Sequence, residues 1–174
     1  MKSAFSILLT LSCILIGCQE ADQLKEDKLY PVKRIVDGDT FYVDDGTKKG
    51  KSIRFIGVDA PETKHPRKPV AYFGKEASAY LTKLLKGKEV RLEFDVEKYD
   101  RYNRVLAYVY LKDSTFVNAE LVKNGYAQIA TFPPNVKYVD LFKELQKEAR
   151  ENNRGLWNTD TINNEEKPHA ANSG

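Results

Sequence analysis

RIVDGDTFYV, residues 34–43, is apolar and β-branched at both ends and acidic in the middle. The flanks call for paired strands, and Asp37-Gly38-Asp39 calls for the connection between them. Asp-Gly is good hairpin chemistry because glycine supplies the positive φ of a tight turn. Two carboxylates one residue apart are also a way to hold something. This stretch alone leaves both readings open.

Working outward, three strand-like runs open the body: Tyr30–Val36, Thr40–Val43 and, after the loop DDGTKKGK, Ser52–Val58. Residues Val70–Lys86 then turn helical, with Phe73, Ala77, Tyr80, Leu81 and Leu84 on one face and Gly87 ending the run. In Glu89–Glu97, Val90, Leu92, Phe94 and Val96 alternate with charged residues, which predicts a strand with one buried face. Val105–Leu111 is near-continuously apolar and predicts a more central strand. Ser114 is placed to cap a short helix ending at Gly125, and Tyr126–Ala130 reads as a brief extended segment. Tyr138, Leu141, Phe142, Leu145 and Ala149 form the stripe of a last helix, with Gly155 as its stop. This order predicts an α+β fold: a small closed antiparallel barrel of the OB type, five-stranded, with three helices packed outside.

The chain has 174 residues, 41% hydrophobic and 30% charged, with a formal charge of +3. That suits one domain with a real core, and the charge permits a polyanionic partner without requiring one. Both cysteines, Cys13 and Cys18, lie at the N-terminus, so the body offers no disulfide, thiolate metal site or cysteine nucleophile. The opening MKSAFSILLTLSCILIGC has the layout of an export signal, and Leu15-Ile16-Gly17-Cys18 resembles a lipobox, in which the signal is cut before an acylated cysteine. The expected organisation is a signal over 1–17, a polar tether over 18–28 beginning at the lipidated Cys18, a folded domain over 29–157, and a disordered tail over 158–174. The expected location is extracytoplasmic, lipid-anchored at the cell membrane; an ordinary secretory signal is the competing reading.

Acids and arginines recur at predicted strand ends: Arg54, Asp59 and Glu62 in IRFIGVDAPETKHP, and Arg101 and Arg104 in KYDRYNRVLAYVY. Turn chemistry and surface ion pairs are the bland account. An EF-hand over Asp37, Asp39, Asp44 and Asp45 is excluded, because Phe41 and Tyr42 stand where that loop needs an oxygen ligand and a glycine. Asp44-Asp45-Gly46 is more simply the next turn. A phosphodiester site accounts for the whole set. Forked guanidinium groups suit two phosphate oxygens, carboxylates hold a hard cation, and a glutamate positions a water. With only two histidines, His65 and one in the tail, no Ser-His-Asp triad is available.

DGDT, R…VDAPETKHP, YFGKEASAY, DRYNRVLAY and GLW occur in the order and near the spacing of the staphylococcal nuclease (thermonuclease) family, which Tyr30–Trp157 resembles. The resemblance implies an OB-type barrel with three helices and a Ca²⁺-dependent endonuclease acting on DNA and RNA, single-stranded or frayed, leaving 3′-phosphate ends. It implies Ca²⁺ ligation by Asp39, Asp59 and the Ala60 carbonyl, with Asp37 ordering waters nearby. Glu62 is implied as general base or water-orienting group, and Arg54 and Arg104 as the clamp on the scissile phosphate. Arg101 and Tyr102 match a Lys-Tyr pair beside the nucleotide. The segment ATFPPNVKY departs from the family, with Thr131 and Pro133 around Phe132 where two tyrosines are expected; Phe132 still offers a stacking face. Lys33, Arg34 and the loop Lys64–Pro69 are candidate phosphate-tracking charges, or a solvated basic surface. The rival reading is a non-catalytic OB module binding nucleic acid at the cell surface. Nothing in the sequence calls for more than a monomer.

Overall fold

The computed structural model describes residues 24–63 and 71–158. The predicted signal, Cys18, the loop containing His65 and nearly all of the tail lie outside them. Five strands close a barrel in the order β1 (Leu29–Ile35), β2 (Thr40–Val43), β3 (Lys51–Phe55), β6 (Val105–Leu111), β5 (Glu89–Glu93) and back to β1. Closure removes every free edge. Inward residues Phe41, Val43, Ile53, Phe55, Val90, Leu92, Val105, Ala107 and Val109 fill it, with the Phe41 and Phe55 rings 5.3 Å apart. The barrel is mixed, not purely antiparallel as the sequence suggested. β3 and β6 run parallel, with Ile53 opposite Val105 and Phe55 opposite Ala107. A second, two-stranded sheet pairs β4 (Val58–Asp59) with β7 (Gln128–Ile129).

Three helices pack outside: α1 (Gly74–Leu85), α2 (Val117–Lys123) and α3 (Val139–Glu151). α1 begins later than its apolar spacing predicts, because Phe73 takes a left-handed conformation at φ 61° and ends the preceding loop. Its buried face is Gly74, Ala77, Leu81 and Leu85. Ser114 does not cap α2; it sits at φ 69° in a turn, and Phe116 holds the cap position. β5 stops at Glu93, so Val96, expected inside, is 73% exposed. Leu141 of the predicted α3 stripe is also exposed, whereas Phe142 and Ala149 are buried. Packing starts before β1: Leu24 is buried, its carbonyl accepts from Lys98 Nζ at 3.0 Å, and Glu26 accepts the Phe94 N–H. Residues 24–28, read from composition as solvated tether, thus clasp the barrel. Among the described residues no helix is long and apolar enough to cross a membrane.

Candidate phosphodiester site

The Asp37–Asp39 connection is a hairpin closed by the Val36 N–H donating to the Thr40 carbonyl at 2.9 Å. Gly38 is not there for a positive φ, contrary to the turn argument. The reason is crowding: a Cβ on it would lie 2.5 Å from Ala60 Cβ and 2.9 Å from Ala77 Cβ. The missing side chain lets the hairpin press against the end of β4 and against α1. That contact carries Asp39 to Ala60, whose N–H donates to Asp39 Oδ2 at 2.8 Å. The Asp39 backbone carbonyl also receives the Phe55 N–H at 3.1 Å, which locks the turn to β3.

Arg54 projects from the outer face of β3 between two of the predicted acids. It pairs with Asp39 Oδ2 and donates through NH2 to Asp59 Oδ1 at 2.8 Å. Its NH1 is buried and forms no well-aligned hydrogen bond despite the ion pair. Burial draws its pKa below the usual range, Asp59 and Asp37 oppose this, and the like charge of Arg104 adds to it. The guanidinium stays charged throughout. Arg104, at the mouth of β6, donates Nε to Asp100 Oδ2 at 2.7 Å and NH1 to the Thr40 hydroxyl at 3.3 Å. Thr40 in turn donates to Asp39 Oδ1 at 3.0 Å. Asp100, Arg104, Thr40, Asp39, Arg54 and Asp59 therefore form one connected polar chain.

The predicted residues fall into two neighbouring groups. Asp37, Asp39, Asp59, Ala60 and Arg54 gather at the hairpin and β4. Arg54 and Arg104 also line a groove of about 760 Å³ with Tyr99, Arg101, Tyr102 and Phe132. Tyr102 is 64% exposed and Phe132 72%, and the guanidinium groups of Arg101 and Arg104 lie 4.8 Å and 5.5 Å from the centre of the Tyr102 ring. Glu62 follows β4 on the exposed surface, and its charge acts on Asp37. Burial pushes the Asp37 carboxyl up, Arg54 pulls it back, and Glu62 pushes it further.

Two contributors were missed in the sequence. Thr40 bridges the arginine and aspartate groups, and buried Asn135 clamps the groove wall through both backbone groups of Glu97. Asp100, which the bland account took as a turn residue and an ordinary ion-pair partner of the arginines, holds Arg104. Thr40 stood inside DGDT, and nothing local signals that it reaches a site residue.

A divalent cation fits this donor set in kind. Asp37, Asp39, Asp59 and Glu62 against Arg54 and Arg104 leave an excess of negative charge, and burial, with the charge of Glu62 adding to it, holds the Asp37 carboxyl up. Carboxylate and carbonyl oxygens are hard donors of the type Ca²⁺ takes. No ready-made cage of three or more acidic, histidine or cysteine side chains exists among the described residues, so water or substrate would complete the coordination.

The family model described as "Staphylococcal nuclease homologue" matches residues 52–159, well over half of the chain. This chain belongs to the staphylococcal nuclease homologue family. It is 46% identical over 129 residues to a thermonuclease of Staphylococcus intermedius, covering 74% of this chain and 75% of that one. To a thermonuclease of Staphylococcus hyicus it is 42% identical over 131 residues, covering 75% and 76%. To the Bacillus subtilis endonuclease YncB it is 39% identical over 126 residues, covering 71% and 59%. Membership in the staphylococcal nuclease homologue family agrees with the OB-type α+β barrel found here.

Proposed function

We propose that the chain is a Ca²⁺-dependent endonuclease that hydrolyses phosphodiester bonds of DNA and RNA, leaving 3′-phosphate ends. The observation that carries the reading is the convergence of Arg54 and Arg104. Both line one groove beside exposed rings, and both are tied to the buried Asp39–Thr40 pair. The names of the relatives, thermonuclease and endonuclease, support the same reaction class.

The scissile phosphate would sit between the two guanidinium groups, which bind its charged oxygens more strongly as charge builds in the transition state. Asp100 and Thr40 fix the Arg104 fork in advance, so little reorganisation is needed during reaction. Glu62 takes a proton from the attacking water. The new bond joins that water oxygen to phosphorus, and the bond to the 5′ oxygen breaks. The departing alkoxide collects a proton from solvent and leaves as a 5′-hydroxyl. Asp39, Asp59 and the Ala60 carbonyl would hold Ca²⁺, with Asp37 nearby; the ion supplies charge neutralisation and acidifies bound water. Arg101, Tyr102 and Phe132 would take the nucleotide, by charge and by stacking. Sugar and sequence specificity would be loose, because backbone grip and stacking read little sequence.

Single-stranded DNA incubated with the protein in Ca²⁺ and in EGTA, beside Glu62→Gln and Arg104→Ala, tests this. The expected result is Ca²⁺-dependent cleavage that falls by two or more orders of magnitude in both variants, as loss of a positioned acid–base or charge-stabilising group predicts. Salt-sensitive binding without cleavage would make the chain a binding module instead. Export and acylation at Cys18, supported by the N-terminal sequence, predict that Cys18→Ala moves the protein from the membrane to the soluble fraction.

A further inference from the structure

Lys33 and Arg34 are consecutive, yet both are exposed on β1. The register of β1 against β2 slips between Val32 and Arg34, a bulge that lets Val32 and Ile35 pack against the core while Lys33 and Arg34 turn outward. The two then part ways. Lys33 Nζ donates to the Thr47 carbonyl at 2.8 Å and pairs with Asp44, so the β2–β3 turn occupies it. Arg34 has no ion pair among the described residues. Its guanidinium carbon lies over the ring of Tyr42, directly across the strand pair, 3.5 Å from the ring centre.

Tyr42 shares the outer face of β2 with Thr40, two residues and about 7 Å along the strand. Thr40 stands opposite Arg54 on β3, and Tyr42 opposite Ser52. One continuous outer face therefore runs from the two arginines of the site, through Thr40, to Tyr42 and Arg34. A cation resting on an aromatic ring, with donors left over, is the chemistry that grips a phosphate and stacks a base. The outer face of strands 2 and 3 is also where OB barrels commonly take oligonucleotides.

We infer that the Arg34–Tyr42 pair is a second subsite for single-stranded nucleic acid, holding a nucleotide of the substrate chain beyond the one held at Arg54 and Arg104. The inference rests on the nuclease reading for its ligand class, but it concerns binding and not cleavage. It predicts that the protein prefers polymers to dinucleotides because of this face, and that the preference is separable from the chemistry.

The test is fluorescence anisotropy of a labelled oligothymidylate about twelve nucleotides long, within the reach of one OB barrel. Binding is measured in EDTA over a range of salt, beside competition by a dinucleotide, for the wild type, Arg34→Ala and Tyr42→Ala. Each variant should bind the oligonucleotide at least about fivefold more weakly, with dinucleotide affinity unchanged. Arg34→Ala should also lower the salt slope by about one counterion. Unchanged oligonucleotide affinity and slope would overturn the subsite, and so would an equal loss for both ligands, since that would place the effect in the central groove. A wild type that binds no oligonucleotide at low salt overturns it as well. If Tyr42→Ala does not fold, Arg34→Ala decides alone, because Arg34 is exposed and supports no core contact. A wild type that binds the oligonucleotide through Arg34 but cleaves nothing leaves this subsite standing and removes the nuclease reading.

Discussion

Asp100 grips Arg104 twice: Oδ2 accepts from Nε at 2.7 Å and Oδ1 from the Arg104 backbone N–H at 2.9 Å. Oδ1 also accepts the Tyr102 N–H, and the Asp100 N–H donates to the Arg104 carbonyl at 3.1 Å, so the whole turn closes around one carboxylate. The same side chain thus shapes the loop that carries Tyr102 and aims the guanidinium. Asp100→Asn should therefore lower kcat/KM by about 10²-fold, the scale of a misplaced catalytic group, while Tyr102 and Arg104 remain present. Steady-state kinetics check it, and a variant within twofold of wild type would show that Arg104 is aimed by something else.

Burial works against the Asp100 charge, but the backbone and side-chain donors of Arg104 and the Tyr102 N–H outweigh it, and its pKa falls below the usual carboxylate value. The folded pKa is depressed, so the stabilisation is complete above the unfolded value of about 3.9 and is lost as pH falls through the folded one. Thermal melts of wild type and Asp100→Asn should differ by a constant amount near neutral pH and converge below about pH 3.9. A gap that does not close in acid would contradict the assignment.

Gly38→Ala should destabilise by about 1–3 kcal/mol, the usual cost of forcing extra volume into a packed contact. The new Cβ meets Ala60 and Ala77, and both are alanines, so no flexible side chain can yield. Because Ala60 also donates to Asp39, activity should fall further than the lost stability explains. Urea denaturation with parallel activity assays decides; a change under about 0.5 kcal/mol would mean that the hairpin can lift away freely.

Arg54→Ala and Arg104→Ala should separate in stability although each should cost most of the activity. Arg54 has a side chain 13% exposed and pairs with two acids, whereas the Arg104 side chain is 30% exposed and has one acidic partner. Removing Arg54 leaves buried Asp39 beside Asp59 without a cation, a loss of about 3–5 kcal/mol, against about 1 kcal/mol for Arg104. Equal denaturation midpoints for Arg54→Ala and Arg104→Ala would refute the distinction.

The Tyr110 hydroxyl donates to Tyr138 Oη at 3.1 Å, and Tyr138 donates to Glu93 at 3.0 Å, tying the start of α3 to β5 and β6. Burial raises the pKa of Tyr110 strongly, with the hydrogen bond to Tyr138 and the charge of Glu93 adding to it. Burial, then the hydrogen bond to Asp95, raises Tyr108 likewise. A raised folded pKa means stabilisation that is complete below the unfolded tyrosine value of about 10 and is lost as pH climbs above it. Alkaline ultraviolet titration should show two tyrosines ionising only as the protein unfolds. Tyr138→Phe should cost about 1 kcal/mol for its broken bonds.

The element order and most site residues were legible locally. Strand-like runs mark β2 and β3, apolar alternation marks β5, the three-and-four spacing marks α1 and α3, and DGDT and VDAPE name the acids. Local signals end where backbone conformation begins: Glu93 ends β5 before its alternation does, and Ser114 turns instead of capping.

The sequence by itself determined the inventory: an OB-type α+β barrel, two arginines, and a set of acids at strand ends. Only the tertiary structure decided how they meet. The parallel β3–β6 pairing joins strands some fifty residues apart and brings Arg104 beside Thr40. The contact of Gly38 with Ala60 and Ala77 sets where Asp39 lies, and the β1 bulge turns Arg34 onto Tyr42. Each depends on barrel closure, a long-range packing condition for which side-chain preference along the chain carries no signal.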